Sequence, residues 1–145
     1  MSEKLDIESF LSEILERDAI TLVDLARISG VDDNGFLLEE KNKYFSFYRA
    51  ESTGLGPGYA IEARGRNSEF SLHIISIILP IENKYSEAHQ LIGRRDIKDL
   101  KMLGGAGIKS ETYMVNGKAV SFNWNQFDNK LIKVVIVFPE EYQNC

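Results

Sequence analysis

Two histidines and one cysteine are the side chains of this 145-residue sequence best suited to metal binding or covalent catalysis. His73 falls in a strand-like run and His89 in a helix-like one. Neither has a second histidine four residues away, as a helical zinc site requires, and a single cysteine cannot build a thiolate site. Cys145 ends the sequence, where a nucleophile would be poorly held. We therefore expect no metal, no cofactor and no catalytic residue, and a protein that is not an enzyme.

The run Asp32-Asp33-Asn34-Gly35 has the composition of a calcium-binding loop. Placing Gly35 at the sixth position of such a loop puts Gly30 at the first position and Lys41 at the twelfth, where carboxylate ligands are needed. Because neither of these two positions has a carboxylate, we interpret the run as a polar turn before a strand, in which Asn34-Gly35 supplies a left-handed backbone.

Two glycine-rich stretches, 51–58 and 103–110, could surround a phosphate group. The second ends in Lys109-Ser110, as a phosphate-binding loop does, but the glycines that this motif requires fall on Leu103 and Ile108. Both stretches also precede predicted strands, whereas such loops lead into a helix N-terminus. We therefore expect both stretches to be ordinary loops that connect elements within one domain.

Acidic side chains are the most one-sided feature of the sequence. The chain has 17 Lys and Arg against 22 Asp and Glu, and residues 1–50, with 11 acids and 6 bases, account for the whole net charge of −5. Such a segment is typical of a solvated acidic face or of a docking surface for a basic partner, and it argues against direct nucleic-acid binding. The acids predicted to contact a partner are Glu8, Glu13, Glu16, Asp32, Asp33, Glu39 and Glu40.

A smaller basic cluster could bind an anion or an acidic partner. Its members are Arg94, Arg95, Lys98, Lys101 and Lys109, with Arg64 and Arg66 within possible reach. Asp96 and Asp99 are interleaved with these bases at helical spacing. The pattern favours a solvated helix face.

Helical patterns occupy two parts of the chain. Apolar residues recur at helical spacing near the N-terminus, at Ile7, Phe10, Leu11, Ile14 and Leu15. A second short helix is expected from Thr21, as N-cap, to Ser29, with Gly30 as its end, although residues 20–23 would also suit a strand. Residues 84–102 have a further helical pattern, divided near Gly93.

From residue 36 the apolar period becomes two, which is typical of strands. Phe45 and Phe47 face one way in their run, and Tyr44 and Tyr48 face the other. Residues 74–79 are apolar on both faces, which predicts a central strand covered on both sides. The strand-like runs are Phe36–Glu39, Tyr44–Ala50, Tyr59–Arg64, Glu69–Leu79, Glu111–Val115, Lys118–Asn125 and Leu131–Phe138.

Asn116-Gly117, between two of these runs, predicts a type I′ hairpin turn, because both residues accept positive φ. Together the elements predict one α+β domain spanning residues 1–145. Its architecture is a mostly antiparallel sheet of about five to six strands, with the N-terminal helix and a mid-chain helical segment packed on it.

The aromatic residues divide into core and surface candidates. Val120, Phe122 and Trp124 share one strand face, and we expect them in the core, although an exposed stripe of this kind would form a stacking platform. Tyr44 and Tyr48 lie on the polar side of their run and are predicted to form an exposed contact surface.

We expect a cytoplasmic protein without membrane partners. The N-terminal residues lack the basic and apolar regions of a signal peptide, and no apolar run is long enough to cross a bilayer. A lone cysteine is in keeping with a reducing compartment.

These observations favour a small acidic protein-binding module. In its size, its acidic charge and its lack of catalytic motifs, the chain resembles the bacterial immunity proteins that neutralise basic toxin domains, often nucleases. The resemblance implies a protein inhibitor that captures a basic toxin or nuclease domain through complementary charge and shape. Two alternatives stay open: a small-ligand-binding or enzymatic domain with a cavity between sheet and helices, and a structural subunit of a homo-oligomer.

Overall fold

The computed structural model describes residues 5–32, 34–85, 87–92, 99–103 and 107–139. Three helices and eight strands lie within these ranges. The helices are α1 (Ile7–Leu15), α2 (Leu22–Ser29) and α3 (His89–Ile92). The strands are β1 (Leu37–Lys41), β2 (Phe45–Ala50), β3 (Ala60–Arg66), β4 (Leu72–Ile78), β5 (Asp99–Leu103), β6 (Ile108–Val115), β7 (Lys118–Asn125) and β8 (Leu131–Val137).

All eight strands form one sheet in the order β1-β2-β3-β4-β8-β7-β6-β5. Each neighbouring pair is antiparallel, so two four-stranded meanders meet where β4 pairs with β8. Antiparallel neighbours need only short turns between them, which suits the short connections of this chain. The predicted α+β class and antiparallel sheet are confirmed.

The strand number and the mid-chain helix differ from the prediction. The sheet has eight strands instead of five to six, and among the described residues of the predicted helical stretch 84–102 only His89–Ile92 form a helix. Asp99–Leu103 is instead the edge strand β5, antiparallel to β6. Pairing with β6 supplies backbone hydrogen bonds that override the local charge pattern. Residues 93–98 lie outside the described residues.

The three helices pack on one face of the sheet. The predicted amphipathic α1 is confirmed, because Ile7, Phe10, Leu11, Ile14 and Leu15 are all buried. They join one core cluster with sheet residues such as Ile75, Val120 and Ile136. No helix in the described ranges is long and apolar enough to cross a membrane.

Local capping explains why residues 22–29 form a helix instead of a strand. The Thr21 hydroxyl oxygen accepts a hydrogen bond from the Asp24 backbone N–H at 3.1 Å, and the Asp24 carboxylate accepts one from the Thr21 N–H at 3.4 Å. These bonds form a capping box, and the backbone bond lowers the pKa of Asp24. Gly30, with φ +69°, ends the helix in the left-handed region as predicted.

The glycine-rich stretch 51–58 packs against the end of α2. The Gly54 N–H donates to the Ser29 carbonyl at 2.8 Å, so the backbones of Gly30 and Gly54 lie very close together. A β-carbon on Gly30 would approach the Gly54 α-carbon to 2.8 Å. These glycines therefore serve a close backbone contact, and this stretch is a connection as predicted.

Residues 116–125 follow the sequence prediction closely. Asn116 and Gly117 have φ values of +51° and +81° and join β6 to β7, which confirms the hairpin turn. Phe122 and Trp124 are fully buried, with ring centroids 6.3 Å apart, and the Trp124 indole N–H donates to Glu111 at 2.9 Å. The aromatic stripe is core, as expected.

Lys118 is a buried cation that sequence patterning missed. It is 2% exposed, and its Nζ donates to the backbone carbonyls of Leu15 at 2.9 Å and Asn116 at 3.2 Å. The ammonium thus caps the C-terminal end of α1, where backbone carbonyls lack helical partners and a positive charge is favoured. Burial lowers the pKa of Lys118, an effect that the charge of Asp18 partly opposes.

The opposite face of the sheet, which we call the open face, is not covered by any described helix. β4 is central, as predicted, but it is covered on one side: Ile75 and Ile77 are buried under the helices, whereas Ile74 and Ile78 are only half-buried on the open face. The prediction that it is covered on both sides was therefore wrong for the described residues. Neighbouring strands shield these two isoleucines laterally, Ile74 lying beside Val137.

The orientation of β2 also differs from the prediction. Phe45 and Phe47 point to the open face, while Tyr48 packs partly buried against the helix-side core. Tyr44 precedes the strand and is exposed, as expected. The alternation of side chains along the strand showed that the phenylalanines and the tyrosines lie on opposite faces, but it could not show which face the helices cover.

Candidate protein-binding groove

A groove of about 430 Å³ lies on the open face beside the edge strand β1. Phe47, Arg64 and Ile74 lie directly opposite one another across β2, β3 and β4 and form a row across it. Apolar surface therefore flanks a guanidinium in the middle of the groove. The full lining is Glu39, Glu40, Phe47, Tyr48, Glu62, Ala63, Arg64, Ile74 and Ser76.

A β-bulge places two carboxylates at the rim of the groove. Leu38 pairs with Tyr48 and Glu40 with Phe47, so Glu39 is an extra residue in β1. Bulges bend edge strands and redirect their side chains. Glu39 and Glu40 are both exposed, and neither takes part in an ion pair among the described residues. This rim therefore carries uncompensated negative charge.

The other acids near the groove are partly neutralised by Arg49. Its Nε donates to Glu51 at 2.9 Å, and its Nη1 donates to Glu62 on the neighbouring strand β3. The hydrogen bond to Glu51, followed by that to Glu62, raises the pKa of Arg49 against the effect of burial. This network holds Glu62 in place on the groove wall.

A cationic and aromatic corner adjoins the groove. The guanidinium carbon of Arg64 lies 4.5 Å from the ring centroid of Phe45, and that of Arg66 lies 5.9 Å from the same ring. The Nη2 atoms of Arg64 and Arg66 lie 3.1 Å and 3.4 Å from Nδ1 and Nε2 of His73. Two guanidinium groups are thus held on one phenyl ring and one imidazole.

The acids predicted on α1 lie away from this groove, because α1 packs on the opposite face of the sheet. Glu13 is exposed and pairs with Arg17 at 3.2 Å, while Glu16 is exposed at the C-cap of the helix. Glu8 accepts a hydrogen bond from the Tyr85 hydroxyl at 3.2 Å. The α1 acids form a separate solvated face.

Tyr85 provides a test of this α1 contact. Burial, followed by the charge of Glu8, raises the pKa of Tyr85 to about 12. Because the fold favours the protonated hydroxyl, its contribution to stability is present below the ordinary pKa of 10.0 and is lost as the pH rises towards 12. Tyrosinate absorbance, taken as the difference between wild type and Tyr85→Phe, is expected to show this late titration.

Replacing Glu8 with glutamine removes the charge and keeps the hydrogen-bond acceptor. We expect the Tyr85 titration to move to lower pH in the Glu8→Gln variant, with burial still holding the pKa above 10.0. If Tyr85 titrated at the same pH in the wild type and in Glu8→Gln, the contact with Glu8 would be wrong.

The remaining predicted acids lie in the turn after α2. Asp32 is exposed, and its carbonyl accepts the Gly35 N–H at 2.8 Å, which closes the predicted polar turn. Gly35 does not have positive φ, so the left-handed backbone predicted there was wrong for this residue. Glycine is instead favoured because a β-carbon would clash with the Val31 side chain, 2.5 Å away. Asp33 lies outside the described residues.

The structure therefore divides the predicted acidic surface. Glu39 and Glu40 lie together on the groove, whereas Glu8, Glu13 and Glu16 lie on the helix side of the sheet. Sequence patterning missed Glu62 as a site residue, and it placed Arg64 near the basic cluster of residues 94–109 instead of beside β1. The position of both residues relative to β1 depends on strand pairing across the sheet. Alternation in 59–64 did place Glu62 and Arg64 on one face of their strand.

The two described members of the predicted basic helix face lie in strands instead of a helix. Lys109 is exposed on β6, and Lys101 falls in the strand β5. Arg94, Arg95 and Lys98 lie outside the described residues. Among the described residues, no three His, Cys, Asp or Glu side chains are grouped so that they could hold a metal ion.

Comparison of the chain with protein-family models, with curated proteins and with solved structures yields no match.

Proposed function

We propose that this protein is a binding module, not an enzyme, and that it captures a basic segment of a protein partner in the groove beside β1. The observation that carries the proposal is the pair of exposed carboxylates, Glu39 and Glu40, which border an open groove without any ion-pair partner among the described residues. A lysine or arginine of the partner would supply the missing countercharge.

The groove combines this charge with apolar contact surface. Phe47 and Ile74 lie on its floor, and both are only half-buried. Burial of such side chains by a partner stabilises a complex, while the surrounding acids increase the association rate of a basic partner. The glutamates would mainly increase the association rate and the selectivity for a basic partner, whereas the apolar floor would lengthen the residence time of the complex.

The edge strand supports a protein as the occupant. All five residues of β1 are exposed, including Leu37 at 64% and Leu38 at 55%. Apolar residues on an unpaired strand edge are a surface on which another chain can lie. The bulge and the glutamates make pairing with a neutral or acidic chain unfavourable, which selects for a basic one.

A narrower proposal is that the partner is a basic toxin or nuclease domain and that this chain acts as its immunity protein. Such domains bind nucleic-acid phosphates through lysine and arginine side chains, and an acidic rim would compete for the same groups. The support is the charge of the rim and the overall acidic balance of −5.

The test is a capture experiment with matched charge variants. Wild-type protein and the Glu39→Gln/Glu40→Gln variant are immobilised, exposed to a lysate of the native host, and the retained proteins are identified by mass spectrometry. We expect a basic protein to be retained by the wild type, with at least about tenfold weaker affinity for the variant when the purified partner is measured. The loss should be greatest at low salt.

Glu13→Gln/Glu16→Gln is the matched control, because it removes the same charge from α1 on the opposite side of the sheet. If retention of the partner falls equally in both variants, binding depends on the overall charge of the protein, and the proposal that the groove is the binding site is wrong. Retention of the same partner by the groove variant at unchanged affinity would also contradict it. For the immunity proposal, co-expression must protect cells from the partner's toxicity.

Small-ligand binding is a second candidate, favoured by the size of the groove. Its volume of about 430 Å³ lies within the range of about 300–1,000 Å³ typical of ligand pockets. A metabolite screen by mass spectrometry after native purification distinguishes the two functions. A small molecule retained by the wild type and lost in Phe47→Ala, with no protein captured, would favour this second function.

A further inference from the structure

The cationic corner formed by Arg64, Arg66, Phe45 and His73 has a chemistry different from that of the acidic rim. Both arginines approach the same imidazole through Nη2, at 3.1 Å and 3.4 Å from its two ring nitrogens. Both also lie over the Phe45 ring, which holds their planar groups on a rigid surface. Two positive charges are therefore kept close together.

Hydrogen-bond chemistry limits how far the histidine can satisfy these arginines. A guanidinium only donates, whereas a neutral imidazole has one acceptor nitrogen and one N–H donor. Only one of the two arginine contacts at His73 can then be a hydrogen bond. In the other contact, an N–H group of the guanidinium faces the N–H group of the imidazole. A protonated imidazole would accept from neither arginine.

Arg64 has one donor atom without an acceptor among the described residues. Its Nε is buried and has no hydrogen-bond partner among the described residues. Within the described part of the chain, the ion pairs of this region join Arg49 to Glu51 and Glu62, and Arg66 to Glu69, and none of these pairs includes Arg64. Arg64 also lines the groove, so a ligand there could reach the terminal nitrogens of its guanidinium, although not the buried Nε.

We propose that this corner is a phosphate-binding site in which Arg64 is the main ligand and Arg66 the second. A planar guanidinium can donate two parallel hydrogen bonds to a phosphate, and stacking on Phe45 fixes the plane before the ligand arrives. A phosphate group carries between about 1.5 and 2 negative charges at neutral pH, which matches two guanidinium groups better than a singly charged carboxylate does.

The proposal does not rest on the proposed capture of a basic partner, because it concerns the guanidinium side of the groove and uses a small anion as its probe. The acids Glu39, Glu40, Glu62 and Glu69 oppose anion binding here, Glu62 less strongly because it pairs with Arg49. We therefore expect a weak, saturable affinity for inorganic phosphate in the millimolar range.

The experiment is a nuclear magnetic resonance titration of isotope-labelled protein with inorganic phosphate, at an ionic strength held constant with sodium chloride. We expect saturable shifts in the backbone signals of residues 64–66 and 73 and in the Arg64 side-chain signal. Arg64→Gln should weaken binding at least tenfold, and Arg64→Lys should weaken it severalfold, because the lysine keeps the charge but not the paired donors.

Arg27→Gln is the matched control, since Arg27 is an exposed arginine on α2 that already pairs with Asp24. Phosphate binding should be unchanged in this variant. Shifts that do not saturate, or an affinity unaffected by both Arg64 substitutions, would overturn the site. Acetate is a second probe in the wild type, and acetate binding as tight as phosphate would overturn the assignment to phosphate.

Discussion

The Gly30→Ala substitution is expected to lower the free energy of unfolding by about 3 kcal/mol. Gly30 has φ +69°, where a β-carbon by itself costs about 1–2 kcal/mol. That β-carbon would also lie 2.8 Å from the α-carbon of Gly54, a backbone atom that cannot rotate away. The end of α2 and the 51–58 loop would have to separate, with loss of the hydrogen bond from Gly54 to Ser29.

Thermal unfolding is a direct measurement of this effect, and we expect a midpoint lower by roughly 6–12 °C. Gly117→Ala is the matched control, because Gly117 has φ +81° but its β-carbon would meet nothing within 4 Å. This variant should show the backbone strain alone, a loss of about 1–2 kcal/mol. Equal losses in the two variants would show that the Gly30–Gly54 contact contributes nothing.

The second large effect is expected on replacing Lys118 with methionine. Methionine keeps most of the volume but removes the donor to the carbonyls of Leu15 and Asn116 and the positive charge at the end of α1. Leu15 keeps a hydrogen bond from the Asn116 side chain, whereas the Asn116 carbonyl loses its described side-chain donor. We expect a loss of about 2 kcal/mol at neutral pH, measured by urea unfolding.

The pH dependence separates this cap from simple packing. The pKa of Lys118 is lower in the folded protein than its ordinary value of 10.5, so the unfolded chain binds more protons between these two values. The proton-linked part of its contribution to stability is present in full above 10.5 and is lost as the pH falls through the folded pKa, whereas the hydrogen bonds to the carbonyls of Leu15 and Asn116 contribute at neutral pH as well. The stability difference between wild type and Lys118→Met should therefore widen as the pH approaches 10.5. A difference independent of pH would contradict the buried ammonium.

The two ligand proposals use different groups of the same groove and can fail separately. Capture of a basic protein depends on Glu39 and Glu40, whereas phosphate binding depends on Arg64. A partner segment carrying both a basic side chain and a phosphate group would engage both at once. Loss of phosphate binding with intact protein capture, or the reverse, would show which chemistry the groove uses.

Local patterns in the sequence were enough to predict those elements whose signals lie within a few residues. Helical spacing of Ile7 to Leu15 predicted α1, and Thr21 with Gly30 marked the ends of α2. Asn116-Gly117 predicted the hairpin, since positive φ at both positions is a property of the residues themselves. Excess acid in the first third also predicted a carboxylate surface, of which Glu39 and Glu40 form the groove rim.

Only the tertiary structure decided how these elements combine into a site. Alternation placed Phe45 and Phe47 together, but the packing of the helices on the other face decided that they lie on the open face. The bulge at Glu39, the strand β5 and the approach of Arg64 to His73 all depend on the register in which neighbouring strands pair. That register is stabilised by burial of one sheet face under the helices, and Lys118 is buried through its contact with Leu15 of α1. Local sequence patterns do not contain this information, because the stabilising partners belong to other elements of the fold.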